Sequence, residues 1–159
     1  MPRIFAMDCE MVVSGNRSIL ARVTIVDETG RVVLDEYVKP TATITDFRSC
    51  YSGIKKHHLE NGKDFSVVRN KVENLINGCI LVGHSLQFDL EALNLSHLEC
   101  KIRDLAKYEA FNRNNGGQPV ALKTLAKDYL GRIIQNGEHD SSEDAKACMD
   151  LYRKYPNNW

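Results

Sequence analysis

Ten residues near the N-terminus, IFAMDCEMVV from Ile4 to Val13, constrain the chain more than any other stretch. All but two are apolar, as in a strand inside a sheet. The exceptions are Asp8 and Glu10. Side chains two apart on a strand share a face, so both carboxylates point the same way. Ionised carboxylates in apolar surroundings repel each other and lose hydration, each at a cost of about several kcal/mol. Three arrangements would offset that cost: water at an edge strand, arginine partners, or a divalent cation, which favours a cluster of hard oxygen ligands. A solvated edge strand is the plain alternative, because acids at period two are common on a solvent face.

The rest of the chain supplies a scaffold for such a strand. Ala21 to Asp27 (ARVTIVD) and Arg31 to Val38 (RVVLDEYV) are rich in β-branched residues, and Glu28-Thr29-Gly30 between them predicts a hairpin. Pro40 ends the third strand, and residues 41–63 carry no periodicity and read as an irregular loop. A helix is expected over VVRNKVENLI, capped by Asp64 or Ser66 and stopped by Gly78. Cys79 to Val82 (CILV) is short and apolar, as in an interior strand. Gly83-His84-Ser85 then turns the chain into a helix from Leu86 to Leu95. Cys100 to Asp104 is a candidate short strand, Asn112 to Pro119 a loop, and Ala121 to Leu130 a helix stopped by Gly131. A final helix opens at SSED, with Asp140 or Ser141 as its cap. Three strands followed by alternating strands and helices describe a mixed α/β sheet with helices on its faces.

With 159 residues the chain is expected to form one domain, 1–159, with a core that needs no staples. It begins near its first strand and ends soon after its last helix, which fits a minimal enzyme or an excised domain equally. Lys and Arg number 21, as do Asp and Glu, so any nucleic-acid contact must come from a local patch rather than a global basic field. Five widely spaced cysteines, an odd number without a CxxC pair, argue against a disulfide framework or a structural zinc site and for a reducing, intracellular compartment. No signal peptide or membrane-spanning run is visible, so no membrane partner is expected.

Two further segments carry acids. In ILVGHSLQFDLEAL, Asp89 follows the CILV strand, where the C-terminal ends of α/β strands hold ligands. Taken alone, Asp89 is equally a partner for its helix dipole. In GEHDSSEDAKACMDLY, His139 precedes the last helix and Asp144 lies in its first turns. There the plain alternative is capping by Asp140 and Glu143, with Asp144 a surface charge. Together, four carboxylates can hold two magnesium ions about 3.5–4 Å apart, an arrangement that clamps the attacking and leaving oxygens at phosphorus. A neutral histidine nearby can take a proton from the attacking water.

At these residues the sequence resembles the DEDDh 3′-to-5′ exonucleases of the RNase H-like fold. AMDCEMV, ITDFRSCYSGI, LVGHSLQFDLEAL and IQNGEHDSSEDAKACMDLY are similar to blocks of the Rex-type and interferon-stimulated RNA exonucleases, and the likeness runs from Arg3 to Tyr155. The resemblance implies a five-stranded mixed sheet flanked by α-helices. It implies Asp8, Glu10 and Asp144 as ligands of one Mg2+ or Mn2+ ion, Asp8 and Asp89 as ligands of a second, and His139 as general base. It implies single-stranded RNA with a free 3′ end as substrate and nucleoside 5′-monophosphates as products. Neither charge nor composition shows that preference, and single-stranded DNA is the runner-up. A nucleic-acid-binding module that no longer cleaves is a third possibility, against which stands the presence of all five motif residues.

Other residues are second tier. Met11 either packs in the core or is turned by a bend toward the terminal nucleotide. Arg48 either reaches a ribose 2′-hydroxyl or phosphate or makes a surface salt bridge. His84 and Ser85 either contact substrate or cap their turn. Lys55, Lys56, His57 and His58 form either a solvated face or a track for the RNA backbone. Many relatives carry glycine where this chain has Val13, which implies a different bend after the first strand, and the short link from Val13 to Leu20 implies an open substrate rim. Between nucleus, nucleolus and cytoplasm the sequence offers no choice.

Overall fold

The computed structural model describes residues 1–156 and 159. Strand β1 (Ile4–Ser14) and β2 (Arg17–Asp27) form an antiparallel hairpin whose turn places Gly15 at φ +63°. That left-handed conformation favours a residue without Cβ. Strand β3 (Val32–Lys39) returns antiparallel to β2. The Asp27 carboxylate accepts the Thr29 and Arg31 backbone N–H groups and so shapes the second turn.

Residues 41–62 are not wholly irregular. They contain α1 (Ser49–Ser52) and α2 (Lys56–Glu60), each about one turn long. Paired backbone groups of Val13 and residues 45–46 fasten this segment to the end of β1. Ile54 and Leu59 pack against Val12 and Ala21 from the same side. The chain then forms β4 (Lys63–Asp64), parallel to the end of β3. Gly62 permits that approach, since a Cβ there would lie 2.7 Å from the Lys39 backbone nitrogen.

Helix α3 (Phe65–Ile76) leads to β5 (Ile80–Gly83), parallel to β1, and α4 (Leu86–Ala92) leads by a 3₁₀ turn to β6 (Ile102–Asp104), parallel to β5. The sheet order is β4-β3-β2-β1-β5-β6. It has six strands rather than the five expected, and the extra one is the two-residue β4. Strand β1 is interior, which removes the solvated-edge reading of its acids.

Three helices complete the chain: α5 (Glu109–Asn112), inside a stretch read partly as loop, α6 (Leu122–Leu130), and α7 (Ser141–Lys154). One face of the sheet, with Ala6, Val26 and Val82, packs on α6 and α7 through Leu125, Ala145, Cys148 and Met149. The other, with Phe5, Met7, Ile25 and Leu81, packs on α3 and α4 through Val68, Val72, Leu86 and Leu90. Each large side chain fully buried in these layers contributes about 1.5–3 kcal/mol relative to exposure. The small Ala145, Ala147 and Cys148 let α7 lie close against the sheet. Among the described residues no helix is long and apolar enough to cross a membrane.

Candidate active site

Alternation along β1 puts Asp8 and Glu10 on the face that carries Ala6, toward α7. The start of α7 is pinned there from several directions. Asp140 caps it, accepting the Ser142 N–H at 2.9 Å. Arg22, across from Glu10 in the β1–β2 register, binds Asp35 with two nitrogens and Asp140 with a third contact at 3.0 Å. Thr24 and Ser141 share a buried hydroxyl–hydroxyl bond of 2.7 Å. With its first turn held, α7 brings Asp144 to the β1 acids, and one oxygen from each of Asp8, Glu10 and Asp144 lies within 4.8 Å of the others.

The electrostatics of this trio are unfavourable in isolation. Glu10 is 7% exposed and Asp144 2%. Burial, then the charge of Asp144, pushes the Glu10 carboxyl up to about 8, with Arg22 opposing. Burial also raises Asp144, and it raises Asp8 well above the ordinary carboxylate range, helped by the charges of Asp89, Asp144 and Glu10. Glu10 Oε1 and Asp144 Oδ1 are buried without a hydrogen-bond partner among the described residues. Two orphaned hard oxygens within a cluster of three carboxylates fit a divalent cation.

Asp89 is buried on α4, and its Oδ1 accepts the Cys9 backbone N–H at 2.8 Å. It therefore touches β1 beside Asp8 but stands outside the trio, with a carboxyl raised by burial. The turn that aims it is tightly built. A Cβ on Gly83 would collide with the Leu86 side chain and approach the Met7 carbonyl, and Ser85 sits at φ +57°. Buried Asp104, at the end of β6, accepts the N–H groups of Ser85, Leu86 and Ala106 at 2.8–3.1 Å.

His139 is half-buried before α7. Its backbone N–H donates to the Tyr51 carbonyl at 2.5 Å, and its own carbonyl would lie 3.2 Å from a Cβ on Gly53, so α1 fixes the histidine's main chain. Its ring nitrogens make no hydrogen bond among the described residues. Burial, then the charge of Lys123, holds its pKa below the usual histidine value, which keeps the ring neutral and basic near pH 7.

The second-tier residues divide. In the β1–β2 hairpin, Glu10 faces Arg22 while Met11 faces Leu20, so the extra residue of the bulge is Ala21 on β2. Strand β1 keeps its alternation, and half-buried Met11 stays on the face opposite Glu10. Arg48 is exposed at φ +48°, and among the described residues it makes no ion pair, contrary to the salt-bridge alternative. His84 is engaged, its Nε2 lying 2.7 Å from the Val120 carbonyl, and its Nδ1 is 3.5 Å from Ser85 Oγ. In the basic run, Lys56 pairs with Glu60 and His58 stacks on Tyr37, while Lys55 is exposed. Val13 is hydrogen-bonded to the 45–46 segment, and β1 runs on to Ser14 before the turn at Gly15.

Three contributors were not read from the sequence. Gln135, at φ +56°, donates Nε2–H to Asp144 Oδ2 at 3.0 Å and leaves Oδ1 free. Asp104 clamps the turn before Asp89, and its only sequence signal is an acid closing a short strand. Arg22 stands opposite Glu10, a signal that requires the strand register.

The exonuclease family RNase_T matches residues 5–152. RNA exonuclease 4 of Gibberella zeae is 46% identical over 156 residues, 96% of this chain and 49% of that protein. RNA exonuclease 4 of Mus musculus is 44% identical over 163 residues, 100% of this chain and 38% of that protein. The chain thus spans about half or less of the length of these curated relatives. The Neurospora crassa Pan2 catalytic unit (protease and nuclease domain) superposes with a TM-score of 0.89 at 28% identity, over 98% of this chain and 28% of that one. The Saccharomyces cerevisiae Pan2 pseudoubiquitin hydrolase–RNA exonuclease module in complex with A7 RNA superposes with a TM-score of 0.86 at 34% identity, over 97% of this chain and 28% of that one.

Proposed function

The chain belongs to the RNase_T exonuclease family, and from that premise we propose that it is a 3′-to-5′ exoribonuclease. It hydrolyses the last bond of single-stranded RNA at a free 3′ end with two divalent ions, Mg2+ or Mn2+, and releases nucleoside 5′-monophosphates. The observation that carries this reading is the convergence of Asp8, Glu10 and Asp144 with two orphaned buried oxygens.

In this reading Asp8, Glu10 and Asp144 hold one ion, and Asp8 with Asp89 holds the other. When bound, the ions make an attacking water more acidic and offset charge at phosphorus. His139, neutral and with ring nitrogens that make no hydrogen bond among the described residues, takes the proton of that water. Gln135 holds Asp144 so that Oδ1 faces the cluster. Asp104 holds the turn before α4 and so the direction of Asp89. Arg48, exposed and without an ion pair among the described residues, reaches the ribose 2′-hydroxyl or a phosphate. The names of the curated relatives and the RNA bound to the yeast Pan2 module support RNA over DNA. Its work is in a reducing compartment, nuclear, nucleolar or cytoplasmic, which five free cysteines support, and residues 1–159 act as one domain.

The test is a time course on 5′-labelled single-stranded RNA with magnesium, with manganese and with chelator, beside a matched DNA. A ladder shortening one nucleotide at a time from the 3′ end, absent in chelator and slower on DNA, is expected. Equal or faster digestion of DNA would make this a DNA exonuclease. An uncut label under every condition would leave a non-cleaving binding module.

A further inference from the structure

Two surfaces flank His139. On one side is α1, whose Tyr51 accepts the histidine's N–H with its carbonyl while its ring stays in solvent, the residue being 65% exposed. On the other is α6. The bond from His84 to the Val120 carbonyl ties the residues just ahead of α6 to the turn that aims Asp89, so the helix starts at the edge of the site. Lys123 and Lys127 lie four apart on it, both exposed, on neighbouring turns of one face. With Asp128, Ile133 and Ile134 they line a cavity of about 290 Å³ under the segment that leads to His139. The charge of Lys123 is felt at the His139 ring.

Some cations of this chain are neutralised locally and others are not. Acids and bases are equal in number, and Arg22, Arg31, Lys63, Arg69, Lys71 and Arg132 all reach carboxylates. Lys123 and Lys127 pair with none among the described residues. Cations without carboxylate partners on one element near His139, and a solvent-facing aromatic ring on another, suit a single strand, whose phosphates take the cations and whose bases stack on rings.

We propose that Lys123, Lys127 and Tyr51 form the track for RNA on the 5′ side of the scissile bond, the lysines on phosphates and the Tyr51 ring on a base. This rests on the exoribonuclease reading and adds a substrate class to it: strands of several nucleotides are held more tightly than a dinucleotide, with little regard to sequence.

The test is fluorescence anisotropy of a labelled ten-nucleotide RNA across a salt series, with every protein carrying Asp8→Asn to stop turnover. The pair Lys123→Gln and Lys127→Gln is expected to flatten the slope of log affinity against log salt by about 1.4, near 0.7 for each cation removed. Tyr51→Ala is expected to weaken binding roughly 5- to 160-fold with little change in slope, the usual weight of one stacked base. Tyr51→Phe should bind like its parent. Lys107→Gln, an exposed control in the stretch after β6, should leave the slope alone. A slope unchanged in the double lysine variant, or full affinity in Tyr51→Ala, overturns the track. If unmutated protein still cuts the same RNA in magnesium, the exonuclease reading survives that failure. If it neither cuts nor binds RNA, both fall together.

Discussion

Replacing Glu10 with glutamine should make the two proteins' stability curves cross as pH rises. The Glu10 carboxyl, 7% exposed, is pushed from 4.5 to about 8 in the metal-free fold. A carboxyl whose folded value lies above its unfolded one favours folding most below the unfolded value. That stability is lost as pH climbs through the folded value. At about 1.4 kcal/mol per pKa unit, Glu10 alone costs at most about 4 kcal/mol between pH 5 and pH 8. That is a large share of the roughly 5–15 kcal/mol that holds a domain together. Glu10→Gln removes the charge at constant shape but buries an amide lacking partners, at about 1–3 kcal/mol. In chelator the variant is therefore expected to be less stable than wild type at pH 5 and more stable, by about 1–3 kcal/mol, at pH 8. Relief of the repulsion on Asp8 and Asp144 adds to the gain at pH 8. A divalent ion reverses the order. Wild type at pH 8 gains stability by mass action, about 2.7 kcal/mol at a hundredfold excess over Kd, and the variant gains less. Urea denaturation at pH 5 and pH 8, in chelator and in manganese, reads all of this. Curves that stay parallel in chelator would show that Glu10 is not a buried, repelled carboxylate. Equal stabilisation of both proteins by manganese would remove it from the metal site.

Three other outcomes follow. Asp8→Asn and Asp144→Asn should each abolish release of nucleoside monophosphates while the circular dichroism spectrum stays native, and wild-type turnover in either would end the two-metal proposal. His139→Ala should lower the rate by about 10²–10⁴-fold and erase the acid limb of the pH–rate profile, which lies below the usual histidine value; an unchanged limb would assign that proton to another group. Gln135→Ala frees Asp144 Oδ2 from its donor at 3.0 Å and should weaken manganese binding by roughly tenfold by calorimetry, the low end for groups that orient metal ligands; an unaltered Kd would make the contact merely local.

The parts of the site that local pattern alone makes legible are those whose neighbours in sequence are also neighbours in space, whereas Asp89 and His139, held by Cys9 and Tyr51 from far along the chain, are legible through their motif blocks. Asp8 and Glu10 stand out because strand alternation alone puts them on one face of an apolar run. Asp140 as the cap of α7 is written in the residues after it, and Asp144 follows one turn later. The short elements α1, α2 and β4 leave no such trace. Each is held by distant partners: the 45–46 segment against Val13, Ile54 and Leu59 against Val12, and Gly62 against Lys39. The extra strand and the two helices inside the apparent loop share that cause. Gln135 and Asp104 were hidden for the same reason, since their partners lie nine residues away on α7 and about 18–19 away on the turn before α4.

This division follows from the physics of the site. Clustered carboxylates work against the metal-free fold, as their raised pKa values show, so their positions must be imposed from outside the cluster. The imposing groups are hydrogen-bonded: Arg22 to Asp35 and Asp140, Thr24 to Ser141, Asp104 to three backbone N–H groups, and the Cys9 N–H to Asp89. The only buried carboxylate oxygens without a partner among the described residues, Glu10 Oε1 and Asp144 Oδ1, belong to residues of the cluster. A chain selected for stability alone would have paired these oxygens or replaced them with apolar atoms. Their persistence at the meeting point of β1 and α7 is what ties this fold to a divalent cation.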